Sequence, residues 1–271
     1  MAGGQRAAAT TDVMGDRSLA HPARMYDYWL GGKDNFAVDR LLAERVAVNA
    51  PAITLACREN RAFLGRAVRY AAAVGIRQFI DIGAGFPTMG NTNQVVHAVA
   101  PEARVVYVDN DPVVLAHGRA LLAGRDASRT RMVAGDLRAP EQILADPQLT
   151  AEVDLGRPVA LLLVAIVHFI RDAEEPAGIL ARLRETLAPG SLLIFSHATY
   201  DFDLRVLNNA RVYNDATAPF VPRSRAQLER LLDGFELVEP GLVELSLWRP
   251  DGARPIPSEH TGMYASVGRR P

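Results

Sequence analysis

The sequence has a single cysteine, Cys57, and a single lysine, Lys33, which stands among 30 lysine and arginine residues in all. A lone cysteine excludes an intramolecular disulfide and suits a reducing cytoplasm. The longest apolar run, residues 159–167, is less than half of the roughly 20 residues that a transmembrane helix needs. The amino-terminal segment also lacks the hydrophobic core of a signal peptide. These absences predict a soluble, cytoplasmic protein.

Motifs for metal binding and for serine-hydrolase chemistry are missing as well. The six histidines are scattered, and neither a His-x-x-x-His nor a Cys-x-x-Cys motif occurs, so the sequence predicts no metal site. No Gly-x-Ser-x-Gly elbow is present. The net charge is −1, which gives no global basic field to attract nucleic acid or an anionic membrane. We therefore expect neither of these partners.

What the sequence does contain is a strand, a glycine turn and an acid in nucleotide-binding order. Residues 78–83 form a short apolar segment that runs into Gly83-x-Gly85. This pattern is typical of a buried strand that turns sharply into a helix. A second apolar segment ends at Asp109, 24 residues after Gly85. At roughly this spacing, the acid of a nucleotide-binding βαβ unit accepts hydrogen bonds from ribose hydroxyls.

The loop after the first strand does not match a dinucleotide fingerprint. That fingerprint is Gly-x-Gly-x-x-Gly, which lets a pyrophosphate approach the helix N-terminus. Here the third glycine is Gly90, two residues late, and Pro87 lies within the loop. The loop therefore suits an adenosine ligand without phosphates. An NAD-dependent oxidoreductase stays open as an alternative, because it shares the same βαβ start.

Four segments carry a resemblance to a known family. They are residues 23–35 (ARMYDYWLGGKDN), 81–88 (DIGAGFPT), 106–112 (VYVDNDP) and 247–251 (LWRPD). In these segments the chain resembles one actinobacterial family of S-adenosylmethionine-dependent methyltransferases, long described as a domain of unknown function, within the Rossmann-like class I superfamily. The segments span almost the whole chain, and the resemblance implies S-adenosyl-L-methionine as the cofactor.

The resemblance and the alternation of strands with helices predict the same architecture. We expect an α/β fold with a Rossmann-like sheet of seven mostly parallel strands, an antiparallel last strand and helices on both faces. Residues 1–20 lack periodicity and are expected to form a disordered tail. Residues 21–271 are expected to form one methyltransferase domain, with a helical lid over residues 21–75 and the Rossmann-like core over residues 76–271.

In an open parallel sheet, ligands bind beyond the carboxyl ends of the strands. The resemblance implies that the first strand end borders the methionine part and the ribose, and that the second meets the ribose and adenine. By the same resemblance, the end of the third strand contacts the adenine amino group, and the end of the fourth strand borders the sulfonium. The predicted cofactor-binding residues at these ends are Asp81, Gly83, Ala84, Gly85, Asp109, Asn110, Asp136, Leu137, Ala165 and Ile166.

The predicted lid supplies two further candidates. The α-carboxylate of the cofactor needs a cation or backbone amides, and Arg24 and Lys33 lie in the segment expected to cover the pocket. Lys33 stands out because a single lysine kept among many arginines suggests that its compact ammonium group matters. The neighbouring Tyr26, Tyr28 and Trp29 are interpreted mainly as packing residues, with a stacking role as the alternative.

Methyl transfer is a direct in-line displacement, so it requires alignment of the acceptor and a base only where the acceptor arrives protonated. His168, beyond the fourth strand, is the candidate base by location, with His197 and Tyr200 as second choices. The alternative for His168 is a hydrogen bond to the backbone. The predicted function is methyl transfer to an unidentified small-molecule acceptor. A non-catalytic S-adenosylmethionine-binding regulatory protein stays open as an alternative.

Overall fold

The computed structural model describes most of the chain, namely residues 18–86, 90–122, 128–252 and 260–271. Among these residues, no helix is both long and apolar enough to cross a membrane. The predicted tail over residues 1–20 lies outside the described part except at its end. There Ala20 is fully buried and forms an isolated parallel bridge with Ala216. Residues 18–20 therefore belong to the fold rather than to the tail.

From residue 18 onwards, three helices precede the sheet, where the sequence predicts the lid: α1 (Pro22–Trp29), α2 (Ala37–Asn49) and α3 (Ile53–Ala73). Helix α1 begins at a proline, because the first turn of a helix leaves its N–H groups without intrahelical partners anyway. The chain leaves this helix at Gly31, which has a φ of +80° that glycine adopts without strain.

In the part of the chain that the structure describes, eight strands form one sheet: β1 (Gln78–Ile82), β2 (Arg104–Asp109), β3 (Thr130–Ala134), β4 (Ala160–Val164), β5 (Leu192–Ala198), β6 (Glu236–Leu237), β7 (Val243–Glu244) and β8 (Met263–Arg269). The order is β3-β2-β1-β4-β5-β8-β6, and β7 also pairs with β8. Strands β1 to β5 are parallel, and β8 is antiparallel to β5. The last strand is thus antiparallel, as predicted.

The two short strands β6 and β7 occupy one edge position of the sheet. Glu236 pairs with Arg269 near one end of β8, and Val243 pairs with Ala265 nearer the other end. Between them the chain turns through a hydrogen bond from the N–H of Gly241 to the carbonyl oxygen of Val238, at 2.9 Å. The eight strands therefore fill seven positions, and the Rossmann-like arrangement predicted from the sequence is confirmed.

Side chains alternate between the two faces of the sheet, so each strand contributes to two cores. On β1, Phe79 faces one core and Ile80 the other; on β4, Leu162 and Leu161 do the same. Helices cover both faces, because strands buried on both sides need a layer against each of them. The first core is covered by α3, α4 (Thr92–His97) and α5 (Pro112–Leu122), and the second by α6 (Pro140–Leu144), α7 (Pro147–Thr150), α8 (Pro176–Thr186) and α10 (Arg225–Leu231).

One further helix lies between β5 and α10. Helix α9 (Asn209–Val212) is flanked by two 3₁₀ turns, Leu204–Asn208 and Tyr213–Asp215. It packs against α2, where Asn49 donates a hydrogen bond from Nδ2 to Oδ1 of Asn209, at 3.0 Å. This segment therefore packs together with the helices that precede the sheet.

Candidate functional site

The carboxyl ends of the first four strands border a cavity of about 510 Å³. Strand order reverses between β1 and β4, and such a switch point is where ligands bind in open α/β sheets. The cavity wall includes every candidate that the sequence analysis placed at a strand end: Asp81, Gly83, Ala84, Gly85, Asp109, Asn110, Asp136, Leu137, Ala165, Ile166 and His168.

The turn after β1 depends on its two glycines. Gly83 and Gly85 have φ angles of +76° and +63°, which glycine adopts readily and other residues adopt only with strain. At Gly83 a Cβ atom would lie 2.6 Å from Cδ1 of Ile166, so the turn after β1 and the segment after β4 pack in direct contact. At Gly85 the nearest atom would be Cβ of Ala23, 3.9 Å away. The backbone at Gly85 is therefore open to the cavity.

Asp109, at the end of β2, is held by backbone amides. Its carboxylate accepts hydrogen bonds from the N–H of Gly85 at 2.9 Å and from the N–H of Asp111 at 3.0 Å. The side chain is largely buried, and burial raises the pKa of Asp109 although both amides act in the opposite direction. The acid thus bridges the ends of β1 and β2 at the cavity wall.

Asn110 and Asp136 join the ends of β2 and β3. The Asn110 side chain donates from Nδ2 to Oδ2 of Asp136 at 3.1 Å, and the backbone N–H of Arg138 donates to Oδ1 at 2.9 Å. Burial raises the pKa of Asp136, but the hydrogen bonds from Arg138 and Asn110 outweigh it and leave that pKa below its usual value. Asp136 is therefore an ionised acceptor at neutral pH.

Asp81 lies within β1, two residues before Gly83, and its side chain lines the cavity. Its Oδ2 accepts a hydrogen bond from Oγ1 of Thr92, the first residue of α4, at 2.7 Å. Burial raises the pKa of this carboxyl to about 6, and the Thr92 bond only partly opposes that rise. A buried acid of this kind gains stability when a cation binds beside it.

The two cations predicted to reach the cofactor carboxylate do not line the cavity. Arg24 is 2% exposed, and its Nε donates to both carboxylate oxygens of Asp39, at 3.0 and 2.9 Å. Its Nη2 donates to the carbonyl oxygen of Leu19 at 2.6 Å. The Arg24 guanidinium thus forms a buried ion pair with Asp39 and does not reach the cavity wall.

Lys33 is exposed, and its loop explains why. The loop wraps around the carboxylate of Asp27, whose Oδ2 accepts from the backbone N–H of Asp34 and from Nδ2 of Asn35, each at 2.8 Å. A Cβ atom at Gly32 would lie 1.9 Å from Oδ1 of the same acid. The glycines therefore let the backbone close around Asp27 and leave the lysine outside, away from the cavity wall.

A cation that the sequence analysis missed does line the cavity. Arg61 lies on α3, and its Nη2 donates to Oδ1 of Asn91 at 3.2 Å. Its guanidinium carbon is 5.9 Å from the centre of the Tyr26 ring. Asn91 precedes α4 just after the glycine turn, so this contact places Arg61 on the strand-end side of the cavity. Its positive charge also lowers the pKa of Asp81 against the effect of burial. Only the tertiary packing of α3 distinguishes it from the other arginines of that helix.

His168 is buried, and its ring serves the backbone. Its Nδ1 accepts a hydrogen bond from the N–H of Ala198 at 3.3 Å. Burial lowers the pKa of His168 to about 3, and the nearby Arg223 adds to this effect. The neutral ring then carries its proton on Nε2, so neither nitrogen has a free lone pair for an acceptor's proton. The geometry favours the backbone role that was the alternative for this residue.

The second choices for a base lie outside the cavity wall. His197 is fully buried, with its Nε2 3.0 Å from Nη1 of Arg223. Tyr200 donates its hydroxyl proton to Oε1 of Gln227 at 3.1 Å. Both side chains therefore hold β5 and the segment after it in place.

A histidine that the sequence analysis passed over is better placed. His260 lines the cavity, and its Nδ1 lies 2.9 Å from Oε2 of Glu244. Phe202 stacks on its ring, with centroids 4.5 Å apart and planes at 6°. Glu244 is held in turn by the N–H of Thr261, at 2.6 Å. When Nδ1–H donates its hydrogen bond to this carboxylate, the lone pair of Nε2 is free, which is the arrangement of an oriented base.

The half of the cavity under the helices is aromatic. We call four of its residues, Trp29, Phe169, Tyr213 and Phe220, the aromatic wall; all four line the cavity and belong to one apolar cluster. Tyr26 borders them and donates its hydroxyl proton to the carbonyl oxygen of Cys57, at 3.0 Å. Part of the packing predicted for the lid aromatics is therefore also a ligand-facing surface.

Comparison with known proteins agrees with this geometry. Residues 8–271 match the model of a family described as S-adenosyl methyltransferase. The chain is similar to a methyltransferase candidate from Thermobifida fusca, at 39% identity and a TM-score of 0.87 over 94% of this chain and 96% of that one. It is also similar to a DUF574 family protein from Streptomyces avermitilis, at 42% identity and a TM-score of 0.89 over 94% and 99% of the two chains.

More distant structures share the fold alone. The mitomycin 7-O-methyltransferase is 19% identical, with a TM-score of 0.52 over 78% of this chain and 54% of that one. No curated protein matches the sequence. The family match nevertheless covers nearly the whole chain, and the two actinobacterial structures superpose along it. The chain therefore belongs to the S-adenosyl methyltransferase family, as its motifs predicted, and its cofactor is S-adenosylmethionine.

Proposed function

We propose that this protein transfers the methyl group of S-adenosylmethionine to a small organic acceptor bound in the same cavity, by direct in-line displacement. One observation carries the proposal: a single cavity runs from the strand ends at Gly85 and Asp109 to the aromatic wall. The first end is polar and presents backbone amides and acids, and the second is apolar. Donor and acceptor would then meet within one site, where positioning can supply roughly 7–11 kcal/mol of the barrier reduction.

The residues of the strand-end half fit the cofactor. The open backbone at Gly85 admits a ligand close to the main chain, and Asp109 offers a carboxylate to paired hydroxyls. A hydrogen bond to such a charged group contributes roughly 1.5–3 kcal/mol. The volume of about 510 Å³ falls within the range of roughly 300–1,000 Å³ that small-molecule sites occupy.

We assign each part of the cofactor to residues of this half. Asp109 binds the ribose, while Asn110, Asp136 and the backbone of Leu137 surround the adenine. Asp81 faces the ammonium group, since a neighbouring cation offsets the cost of burying its charge. The bound cofactor supplies an already activated methyl group, so the remaining task of the chain is to hold the acceptor in line with it.

Arg61 replaces Arg24 and Lys33 in the proposed site. It is the arginine on the cavity wall whose charge acts on Asp81, so it lies near both charged groups of an amino acid moiety bound there. A guanidinium group suits a carboxylate because its N–H donors match the two oxygens. We therefore assign the α-carboxylate of the cofactor to Arg61.

His260 is the proposed base for acceptors that arrive protonated. The residues just before β8 continue past the carboxyl end of β5, because Met263 pairs with Ala198. Adjacent strands lie about 4.8 Å apart, so β8 stands roughly 14 Å from β1, with β4 and β5 between them. An acceptor lying over β4 and β5 would have the cofactor on one side and His260 on the other.

Calorimetry and turnover together test the proposal. We expect S-adenosylhomocysteine to bind one-to-one, and Asp109→Asn to weaken it by roughly 10- to 150-fold, the equivalent of the lost charged hydrogen bonds. Asp154→Asn is the matched control, because this exposed acid caps a remote turn at Gly156. Absence of binding by the wild-type chain would refute the assignment of the site.

The same protein is then incubated with S-adenosylmethionine and a cell extract filtered free of macromolecules. The expected result is release of S-adenosylhomocysteine that depends on the extract and on Asp109. Binding without any turnover would favour the non-catalytic regulatory alternative. Turnover that requires the unfiltered extract would mean that the acceptor is a macromolecule, contrary to the proposal.

A further inference from the structure

The aromatic wall is assembled from three separate parts of the chain. Trp29 ends α1, Phe169 follows β4, and Tyr213 and Phe220 follow α9. The rings of Tyr213 and Phe220 stack with centroids 5.0 Å apart and planes at 19°. The Phe169 ring lies 5.9 Å from Tyr213 and 6.5 Å from Phe220. Their convergence on a cavity forms an apolar surface that favours offset or edge contacts with a further ring.

Two hydrogen-bond donors in this wall have no partner among the described residues. The indole N–H of Trp29 is buried and makes no hydrogen bond. Tyr213 is 4% exposed as a residue and lines the cavity, and its hydroxyl makes no hydrogen bond within the part of the chain that the structure describes. Buried polar groups are nearly always hydrogen-bonded in folded proteins. A buried donor without a partner, in a side chain that lines the cavity, therefore indicates a ligand that carries an acceptor atom.

Arg205 and Asp27 line the cavity and already have partners, and Arg61, which contacts Tyr26, is the cation assigned above to the cofactor carboxylate. Arg205 donates from Nη2 to Oδ2 of Asp203 at 2.7 Å at the cavity mouth, and Asp27 is surrounded by its own loop. A charged ligand in the aromatic half would therefore lose its hydration without gaining a counter-ion there, which is costly. A neutral ligand avoids that loss.

Together these observations identify the class of acceptor, an inference that rests on the proposed function. We propose that the acceptor is a neutral, planar aromatic molecule with a hydrogen-bond-accepting oxygen. Its ring lies against the aromatic wall, and its oxygen accepts from the indole N–H of Trp29 or the hydroxyl of Tyr213. The wall thus selects for aromaticity, and the two donors select for the oxygen and fix the orientation of the ring.

The test uses 2-naphthol as the probe, with two comparison compounds. Decahydro-2-naphthol keeps the oxygen and the carbon skeleton but has no aromatic ring, and naphthalene keeps the rings but has no oxygen. Each is titrated calorimetrically into the protein saturated with S-adenosylhomocysteine. If the protein does not bind S-adenosylhomocysteine, the proposed function itself is refuted. If it binds S-adenosylhomocysteine but not 2-naphthol, only the inference about the acceptor fails.

We expect 2-naphthol to bind one-to-one and roughly tenfold more tightly than its saturated counterpart, because each aromatic pair adds about two- to tenfold beyond area burial. We also expect it to bind roughly two- to tenfold more tightly than naphthalene, the usual effect of one hydrogen bond. Equal affinities for 2-naphthol and the saturated compound would overturn the proposal. So would saturation with S-adenosylhomocysteine and no binding of 2-naphthol.

Two variants test whether the affinity differences between these compounds arise at the aromatic wall. The double variant Trp29→Phe/Tyr213→Phe keeps four rings but removes both donors, so the affinities for 2-naphthol and naphthalene should become equal. Phe169→Leu should instead reduce the advantage of 2-naphthol over its saturated counterpart. Tyr70→Phe is the control, because this tyrosine packs beside Trp248 and does not line the cavity. A double variant with an unchanged ratio, and with unchanged binding of S-adenosylhomocysteine, would exclude the proposed contacts.

Discussion

The Nε atom of Arg24 donates to both carboxylate oxygens of Asp39, and neither side chain has more than 2% of its surface exposed. Asp39 also accepts from the backbone N–H of His21 at 2.9 Å and of Phe36 at 2.8 Å. The Asp39 carboxylate therefore accepts hydrogen bonds from backbone N–H groups at the start of α1 and of α2, and from a buried guanidinium. The pair fixes how the first two helices sit together above the sheet.

Removing the arginine leaves a buried carboxylate without its counter-ion. Breaking such a pair costs about 3–5 kcal/mol, and we expect Arg24→Met to lie near the lower end because the two backbone donors remain. Urea denaturation measures the free energy of unfolding. Arg45→Met is the matched control, since Arg45 pairs with Asp215 at 2.8 Å on the surface, with 56% and 60% of the side chains exposed. Exposed pairs contribute only about 0–1 kcal/mol, and equal losses in the two variants would contradict this account.

Asp81 should make the protein less stable as the pH rises. Its folded pKa of about 6 exceeds the unfolded value of about 3.9, so between these values the folded state binds more protons. The free energy of unfolding therefore falls across that interval and stays low above pH 6. Asp81→Asn keeps an oxygen for Thr92 but cannot ionise. Its stability relative to wild type should rise by about 2–3 kcal/mol between pH 4 and pH 7.

Chemical denaturation at a series of pH values measures this difference, in which the contributions of other titrating groups cancel. Asp154→Asn, at an exposed acid, should run parallel to wild type over the same range. If the stability of Asp81→Asn also ran parallel to that of the wild type, burial of the ionised Asp81 carboxylate would cost no free energy of unfolding. The expected gain in stability would accompany weaker binding of S-adenosylhomocysteine, because Asp81 is the residue proposed to face the ammonium group of the ligand.

The sheet and its strand-end residues could be predicted because the signals are local. An apolar run that ends at Gly83-x-Gly85, followed 24 residues later by Asp109, fixes a βαβ unit and the side on which its ligand binds. Backbone amides then hold Asp109 in a position that depends only on these two strand ends. Asp136 and Ile166 follow from the same topology, since parallel strands end at one edge.

The surroundings of Arg24, Lys33 and His260 could not be predicted, because their partners are distant in the sequence. Nothing around Arg24 shows that it will face Asp39, 15 residues further on, rather than a ligand. Lys33 is a rare residue in a glycine-rich loop, but that loop closes on Asp27. His260 acquires its orientation from Glu244 on another strand. Each of these roles is decided by tertiary packing, which composition and spacing do not encode.

His168 should prove to be a structural residue. His168→Leu removes the acceptor of the Ala198 N–H, and leaving a buried donor unpaired costs about 1–3 kcal/mol of stability at pH 7. The wild-type ring, with its folded pKa near 3, binds fewer protons than in the unfolded chain, so wild-type stability declines as the pH falls below about 6.5. The gap between the two proteins in urea denaturation should therefore narrow towards pH 4. A gap that does not change with pH would contradict the buried, neutral ring.

His260 should instead be dispensable for stability and needed for turnover. Its side chain is 64% exposed and a glutamine amide can still donate to Glu244, so His260→Gln is expected to change the free energy of unfolding by no more than about 1 kcal/mol. Loss of a positioned base slows proton transfer by roughly 10²–10⁴-fold. We expect a decrease of this size in the initial rate of S-adenosylhomocysteine release with filtered extract. The affinity for S-adenosylhomocysteine, measured by calorimetry, should not change. Glu244→Gln keeps an oxygen for the N–H of Thr261 but weakens the orientation of the His260 ring, so its rate should lie between those of the wild type and His260→Gln.

His117→Gln serves as the control, because this histidine contacts Phe86 and does not line the cavity. A wild-type rate in His260→Gln would mean that the acceptor arrives already deprotonated or that another group removes its proton.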